Sequence, residues 1–229
     1  SLLVSDKLRH KLTGIEQADS FVLDAHKMLF MPAMCTLLFY KDKRKSEGAF
    51  AQNASYVFEK EPDMYSEMDS ASRNFECTKR PLIMNLWVCW MIYGRSLFAE
   101  KIEYLCQLTS RVYDLLESQS DFDVLHQPQA NILCFRFLPE QLPSDLSQDN
   151  IGEFQVALRN HTRAAGKFFI SKVDIDGVAA LRVVFMNHEI TLDHVNQLFD
   201  EIRKSGQHLL CKKLCKDQCS VSTITSEAV

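Results

Sequence analysis

The residues most able to support chemistry lie close together near the start of the chain: Asp24, His26 and Lys27. They follow a short apolar run at residues 20–23, which includes a β-branched residue and predicts a buried strand. Pro32 keeps the next segment from forming a long helix. A lysine held just past a buried strand loses part of its hydration, and a neutral amine can then attack a carbonyl to form a Schiff base. An exposed His–Lys pair in a turn is the alternative interpretation.

A longer pattern surrounds these residues: Ala-Asp-Ser at 18–20, Asp-x-His-Lys at 24–27 and Pro-x-x-Cys at 32–35. In order and spacing it resembles the pyridoxal-phosphate lysine site of the group II amino acid decarboxylases. That family includes the glutamate, cysteine sulfinate, aromatic amino acid and diaminobutyrate decarboxylases. The resemblance implies that Lys27 holds pyridoxal 5'-phosphate covalently and that His26 contacts this cofactor near its phosphate. It also assigns Asp24 to the cofactor site.

The fold class implied by the resemblance is α/β, of the fold-type I pyridoxal-phosphate-dependent transferase type. Residues 1–125 correspond to the C-terminal part of the cofactor-binding large domain, and residues 126–208 to a small α+β domain. In the second part, strands at 130–138, 168–174 and 178–186 alternate with helices at 151–165 and 191–202. This order predicts an antiparallel sheet covered by helices on one face. We expect residues 209–229 to form a disordered tail.

Helices are also predicted in the first part. Residues 6–17 have apolar side chains at helical spacing, and Gly14 ends the regular pattern. The apolar run at 82–93 is too short for a membrane span of about 20 residues, and Asn85 interrupts it, so a core helix is favoured. Residues 98–116 form an amphipathic pattern whose apolar face consists of Ile102, Leu105, Leu108, Val112 and Leu115.

Residues 46–78 are polar and show no clear period. A long irregular stretch inside a compact domain is usually either functional or disordered. The resemblance implies a mobile loop that reaches the active site across a dimer interface, with Tyr65 as the catalytic acid that protonates the product carbon. A disordered surface loop without a catalytic role is the alternative.

Arg182 interrupts an otherwise apolar strand. A buried arginine needs an anion, and its guanidinium group fits a carboxylate with two parallel hydrogen bonds. The resemblance implies that Arg182 binds the α-carboxylate of the substrate. The alternative is a structural pair with an Asp or Glu side chain.

The composition excludes several classes of function. The net charge of -4 gives no nucleic-acid footprint, and seven glycines provide no glycine-rich phosphate loop. The N-terminus lacks the basic-then-apolar order of a signal peptide, so eight cysteines predict reduced thiols and a cytoplasmic protein. Cys211, Cys215 and Cys219 are four residues apart, but they lack the spacing of zinc motifs, and no metal site is predicted.

The resemblance covers residues 1 to about 208, which correspond to the C-terminal half of a family member. The family's aspartate that pairs with the pyridine nitrogen, and its histidine that stacks on the ring, lie upstream of the matching part. We therefore expect a fragment, a split product or a cleaved chain that is inactive alone and requires the N-terminal half.

The expected activity of the complete enzyme is decarboxylation of an L-amino acid to its amine and carbon dioxide. The expected assembly is a homodimer with the active site at the subunit interface. Two alternatives remain open at this point. One is an aminotransferase or carbon–carbon lyase on the same fold, and the other is a non-catalytic remnant that acts only in dimerisation.

Overall fold

The computed structural model describes residues 1–42, 44–45, 76, 79–143 and 145–224, and only the backbone of residues 213–224. The chain divides into two units, Ser1–Glu103 and Tyr104–Val229. This division falls inside a long helix. The domain boundary expected at residues 125 and 126 stays a prediction.

The first unit begins with three 3₁₀ helices, Leu2–Val4, Arg9–Leu12 and Ile15–Gln17. The prediction of one regular helix over residues 6–17 is wrong. Thr13 is extended, with φ -53° and ψ 131°, and Gly14 is left-handed, with φ 96°. These two residues interrupt the helical path before it can complete more than a turn.

A two-stranded antiparallel sheet follows, formed by β1 (Ser20–Asp24) and β2 (Thr36–Tyr40). Both strands lie where the apolar runs predict them. The prediction that β1 is buried is wrong for the described chain, because Val22 is 63% exposed. The register pairs Asp24 with Thr36, so these two residues stand opposite each other where the strands leave the sheet.

Helix α1 (Ile83–Glu117) consists of two helical segments, because Gly94 between them has φ 70° and ψ 177°. The first segment is not the core helix that its sequence predicts. Its large apolar side chains are between 41% and 66% exposed: Ile83, Met84, Trp87, Val88, Met91, Ile92 and Tyr93. We call these seven side chains the apolar face of α1. No helix of the described residues is long and apolar enough to cross a bilayer.

The described residues of the second unit form a four-stranded antiparallel sheet in the order β3-β4-β6-β5. Two helices follow strands of this sheet along the chain. The predicted β-α-β-β-α order is confirmed, and one additional short strand, β3, precedes that order. The elements are β3 (Phe122–Val124), β4 (Ile132–Phe137), α2 (Gln148–Ala164), β5 (Ser171–Ile175), β6 (Val178–Val184) and α3 (Leu192–Ile224).

The ends of these elements follow local rules. Ser147 caps α2 by accepting a hydrogen bond from the Asn150 N–H. Asp176 and Gly177 have φ values of 54° and 80°, the left-handed pair that a tight hairpin between β5 and β6 requires. Helix α3 continues to Ile224, within the residues 209–229 for which a disordered tail is expected.

The core of the second unit lies between its sheet and its helices. Phe199 of α3 contacts the rings of Phe122 and Phe135 from the sheet. Three side chains of the amphipathic pattern predicted at 98–116 belong to this unit and are at most 2% exposed: Leu105, Leu108 and Val112. Ile102 of the same pattern belongs to the first unit and is fully buried. Leu115 is only half-buried, and Leu116 is fully buried in its place.

Candidate functional site

The segment between β1 and β2 carries Lys27 in a tight turn. The Lys27 N–H donates to the Asp24 carbonyl at 3.2 Å, and the Phe30 N–H donates to the Lys27 carbonyl at 3.1 Å. Ala25, Leu29 and Cys35 are at most 4% exposed and anchor the turn on both sides of the lysine. The backbone of Lys27 is therefore fixed by both hydrogen bonds and buried neighbours.

The side chain of Lys27 forms an ion pair with Asp24, with 2.6 Å between Nζ and Oδ2. The hydroxyl of Thr36 donates to the other carboxylate oxygen of Asp24 at 2.7 Å. Hydrogen bonds from Lys27 and then from Thr36 hold the pKa of the Asp24 carboxyl below its usual range. The lysine side chain is 55% exposed, so the expected desolvation is absent from the described chain, and the amine is accessible.

The imidazole of His26 lies against the main chain of Cys35. Its Nδ1 atom is 3.2 Å from the Cys35 amide nitrogen and 3.0 Å from the Cys35 carbonyl oxygen. Cys35 is buried, and its thiol lies 3.7 Å from the Leu82 carbonyl oxygen. The other ring nitrogen, Nε2, has no hydrogen-bond partner within the part of the chain that the structure describes.

Arg182 lies in β6 of the second unit, paired in register with Cys134 of β4 and Ser171 of β5. Its neighbour Leu181 is fully buried and pairs with Phe135, which contacts α3. Because side chains alternate along a strand, Arg182 points away from α3, to the opposite face of the sheet.

Arg182 is half-buried, and no hydrogen bond or ion pair joins its guanidinium group to another described residue. Burial raises the pKa of the Cys134 thiol, and the positive charge of Arg182 acts in the opposite direction. A structural Asp or Glu partner for Arg182 is therefore absent from the described side chains. A half-buried guanidinium group without an acid suits an anionic ligand.

The candidate residues thus fall into separate groups. Asp24, His26 and Lys27 lie together in the first unit, and Arg182 lies in the second unit. Tyr65 and the loop predicted at 46–78 lie outside the described residues, apart from residue 76. Among the described side chains, no three possible metal ligands lie close enough together to hold an ion.

Thr36 is a member of this site that the sequence motif does not predict. Its hydroxyl reaches Asp24 only because the two residues are partners in the sheet register. The sequence predicts both strands. An antiparallel register that pairs the last residue of β1 with the first residue of β2 places this hydroxyl opposite the carboxylate. No sequence pattern predicts the contact between His26 and the main chain of Cys35, because this contact depends on the path of the turn.

A family model and several solved structures match this chain. The family model described as "Pyridoxal-dependent decarboxylase conserved domain" matches residues 1–138, which is more than half of the chain. The match includes the whole of the Lys27 segment. Arg182 lies beyond the matched residues.

Solved structures with the same fold include mouse CSAD, which is 22% identical with a TM-score of 0.79 over 90% of this chain and 43% of its own. The TDC of Oryza sativa, solved with PLP and tryptamine, is 21% identical with a TM-score of 0.78 over 91% of this chain and 43% of its own. Tryptophan decarboxylase of Catharanthus roseus, solved with L-tryptophan, is 23% identical with a TM-score of 0.74 over 91% and 42%.

These likenesses confirm the fold expected from the sequence, the fold-type I architecture of pyridoxal-phosphate-dependent decarboxylases. The chain spans less than half the length of the solved proteins that it matches. Their identities to this chain lie within a narrow interval, from 21% to 23%, although their names differ. The comparisons therefore give the family and the fold.

Proposed function

Because the chain belongs to the family of pyridoxal-dependent decarboxylases, we propose that it takes part in decarboxylation of an L-amino acid to its amine and carbon dioxide. The observation that carries the proposal is the turn that fixes Lys27 between buried residues on both sides and leaves its amine accessible. A covalent catalyst needs this combination of a fixed backbone and an open nucleophile.

The side chains of the turn suit pyridoxal 5'-phosphate, which carries an aldehyde and an anionic phosphate. Lys27 offers a primary amine that can attack the aldehyde, and its side chain is 55% exposed. His26 has one ring nitrogen, Nε2, without a partner in the described chain, and an imidazole N–H can donate to phosphate. Asp24 contacts the lysine and the Thr36 hydroxyl, so we assign it to the cofactor site through Lys27.

Pyridoxal phosphate, when bound, supplies the electron sink that accepts the pair released as the α-carboxylate departs as carbon dioxide. The residues of this chain hold the lysine amine in place and provide a partner for its protonated form. Asp24 holds the ammonium form of Lys27 at 2.6 Å, while Thr36 fixes the carboxylate of Asp24. The lysine therefore has a defined resting position whenever its amine carries a proton.

Arg182 binds the substrate α-carboxylate in this proposal. Support comes from its half-buried position in β6 and from the absence of an acidic partner among the described residues. A guanidinium group can hold a carboxylate with two parallel hydrogen bonds and so orient the bond that breaks.

Tyr65 completes the proposed set as the acid that returns a proton to the product carbon. This role rests on the resemblance of the polar segment around it to the mobile loop of the family, and on the need for a positioned acid at that step. The substrate amino acid is a small molecule whose side chain we leave unassigned.

We propose a homodimer as the working assembly, with the active site at the subunit interface. The apolar face of α1 supports this, because seven large apolar side chains in one helical segment are exposed in the single chain. Contiguous apolar surface of this kind is typical of protein interfaces. We also propose a cytoplasmic location, where the thiols of the described cysteines would stay reduced.

Product analysis tests the proposed reaction. The native protein, purified with any polypeptide that accompanies this chain, is incubated with pyridoxal phosphate and a panel of L-amino acids. We expect carbon dioxide and the matching amine in equal amounts, and neither from Lys27→Ala. A keto acid product would instead indicate an aminotransferase, and cleavage of the side chain would indicate a carbon–carbon lyase. Cofactor binding without any of these products would support the non-catalytic alternative.

A further inference from the structure

We propose that Cys35 is a positioning residue whose backbone N–H fixes the tautomer of His26, so that Nδ1 accepts a hydrogen bond and Nε2 carries the proton. The motif Pro-x-x-Cys accompanies the lysine segment in the sequence, but the proposed reaction gives its cysteine no task. The structure assigns that task to the main chain of Cys35, which contacts the His26 ring directly.

The donor in this contact is the backbone N–H of Cys35. Cys35 is 4% exposed, and a buried backbone N–H almost always has a partner. Within the described chain, the acceptor for this N–H is Nδ1 of His26, at 3.2 Å. If Nδ1 carried a proton, two N–H groups would face each other and the Cys35 donor would lose its acceptor. Leaving a buried donor unsatisfied is costly, which opposes that tautomer.

The nearby carbonyl oxygen of Cys35 has no free lone pair for a protonated Nδ1. Nδ1 also lies 3.0 Å from the Cys35 oxygen, so a protonated Nδ1 could in principle donate there. That oxygen already accepts from the Ala25 N–H at 2.8 Å and from the His26 N–H at 3.2 Å. A carbonyl oxygen has two lone pairs, and both are used. The tautomer with Nδ1 as acceptor satisfies every donor in this group, and the other tautomer leaves one unsatisfied.

The consequence is a defined donor at the other end of the ring. In the neutral ring with Nδ1 as acceptor, the proton is on Nε2, which has no partner in the described chain. Nε2–H then donates to an acceptor outside these residues. This last step rests on the proposed function, in which the acceptor is a phosphate oxygen of the cofactor.

Nuclear magnetic resonance of the full 229-residue chain tests the tautomer without cofactor or activity. At alkaline pH, where the ring is neutral, we expect the Nδ1 resonance of His26 at the position of an unprotonated nitrogen and Nε2 at that of an N–H nitrogen. A scalar coupling across the hydrogen bond should join the Cys35 amide nitrogen to Nδ1. A protonated Nδ1, or a coupling absent while the resonances are resolved, would overturn the proposal.

Cys35→Ala separates the main chain from the thiol. The variant keeps the backbone N–H, so the tautomer and the coupling should be unchanged. A change of tautomer in this variant would show that the thiol fixes the ring and would contradict the proposal. If Cys35→Ala fails to fold, the measurement on the wild-type chain decides by itself.

Two substitutions of His26 test the donor in the native protein. The amide nitrogen of Gln reaches about as far as Nε2, and that of Asn about as far as Nδ1. We therefore expect His26→Gln to keep pyridoxal phosphate affinity within about threefold and His26→Asn to lose at least tenfold, measured by equilibrium dialysis. Equal losses in both variants would contradict the donor role. Absence of pyridoxal phosphate binding by the wild-type protein would instead contradict the proposed function, and the tautomer measurement would stand.

Discussion

The carboxylate of Asp24 contacts the amine of Lys27 at 2.6 Å and the hydroxyl of Thr36 at 2.7 Å. The aspartate therefore joins the end of β1, the turn and the beginning of β2 through one side chain. Since the register pairs Asp24 with Thr36, the contact is built into the sheet. The position of the lysine amine depends on this pairing.

Removal of the Thr36 hydroxyl should change the titration of Asp24. Hydrogen bonds from Lys27 and Thr36 favour the charged carboxylate and lower its pKa, so Thr36→Val should raise that pKa toward the ordinary aspartate value of about 4. The pKa should stay below the ordinary value, because the Lys27 contact remains. The titration of the Asp24 carboxyl carbon by nuclear magnetic resonance measures this directly.

The same shift predicts how stability depends on pH. The folded pKa of Asp24 is lower than the unfolded one, so its contribution is complete above about pH 4 and is lost as the pH falls through the folded value. Asp24→Asn should therefore remove part of the acid dependence of the urea midpoint. Asp19→Asn is the control, since Asp19 is 88% exposed at its side chain. An identical acid dependence in wild type and Asp24→Asn would contradict the assignment.

Arg182→Lys should weaken substrate binding and leave the cofactor affinity nearly unchanged. Lysine keeps the charge but cannot form two parallel hydrogen bonds, and loss of a hydrogen bond to a charged group costs about 1.5–3 kcal/mol. We expect KM for the amino acid to rise at least about tenfold in the native protein.

Arg136→Lys is the matched control for Arg182→Lys. Arg136 lies in the neighbouring strand β4 and donates to the carbonyl groups of Val178 and Ala179, so its replacement should affect stability more than KM. Unchanged kinetics in Arg182→Lys, or an equal rise of KM in both variants, would make Arg182 structural.

Charges on the apolar face of α1 should prevent assembly. Trp87→Glu and Met91→Glu place a carboxylate where the single chain exposes large apolar side chains, 56% and 66% exposed respectively. In a dimer these positions would be desolvated, and an unpaired buried charge is costly. Light scattering after size-exclusion chromatography should show a dimer for the wild-type protein and a monomer for both variants.

Phe169→Glu is the control for the assembly experiment. Phe169 is 78% exposed in the second unit, away from α1 in sequence, and its replacement should leave the dimer intact. A monomeric wild-type protein, or a dimer that survives both α1 substitutions, would rule out this face as the subunit interface.

Tyr65→Phe should uncouple release of carbon dioxide from formation of the amine. Loss of a positioned general acid reduces the rate of its step by about 10²–10⁴-fold, while the earlier bond cleavage does not need the phenol. We expect carbon dioxide to exceed the amine. The shortfall should appear as the carbonyl compound left after hydrolysis, with the amino group kept on the cofactor as its pyridoxamine form. Equal amounts of both products, with no loss of cofactor, would exclude the role of Tyr65.

The sequence alone predicts the strand and the motif that carry the candidate site, and it predicts most elements of the second unit. A strand followed by Asp24, His26 and Lys27 could be predicted from local apolar pattern and motif spacing, because both signals are short in range. The hairpin at Asp176 and Gly177 was equally predictable, since a turn of that type demands left-handed residues.

The solvent exposure of apolar side chains could not be predicted from local sequence pattern. The pattern of residues 82–93 indicates a helix that is apolar on most sides, and such a helix is normally buried. Whether its surface is covered depends on chain that packs against it, which local pattern does not encode. Val22 of β1 was misjudged for the same reason. The contact between His26 and Cys35 depends on the path of the whole turn and was also beyond sequence reasoning.

Identification of the lysine that carries the cofactor tests the central claim most directly. The native protein loaded with pyridoxal phosphate is reduced with borohydride, digested and examined by mass spectrometry, with Lys27→Ala as the matched control. We predict that the reduced cofactor is found on the peptide containing Lys27, and that the label is lost from the control together with amine production. Label on a different lysine, with Lys27→Ala still producing amine, would contradict the account.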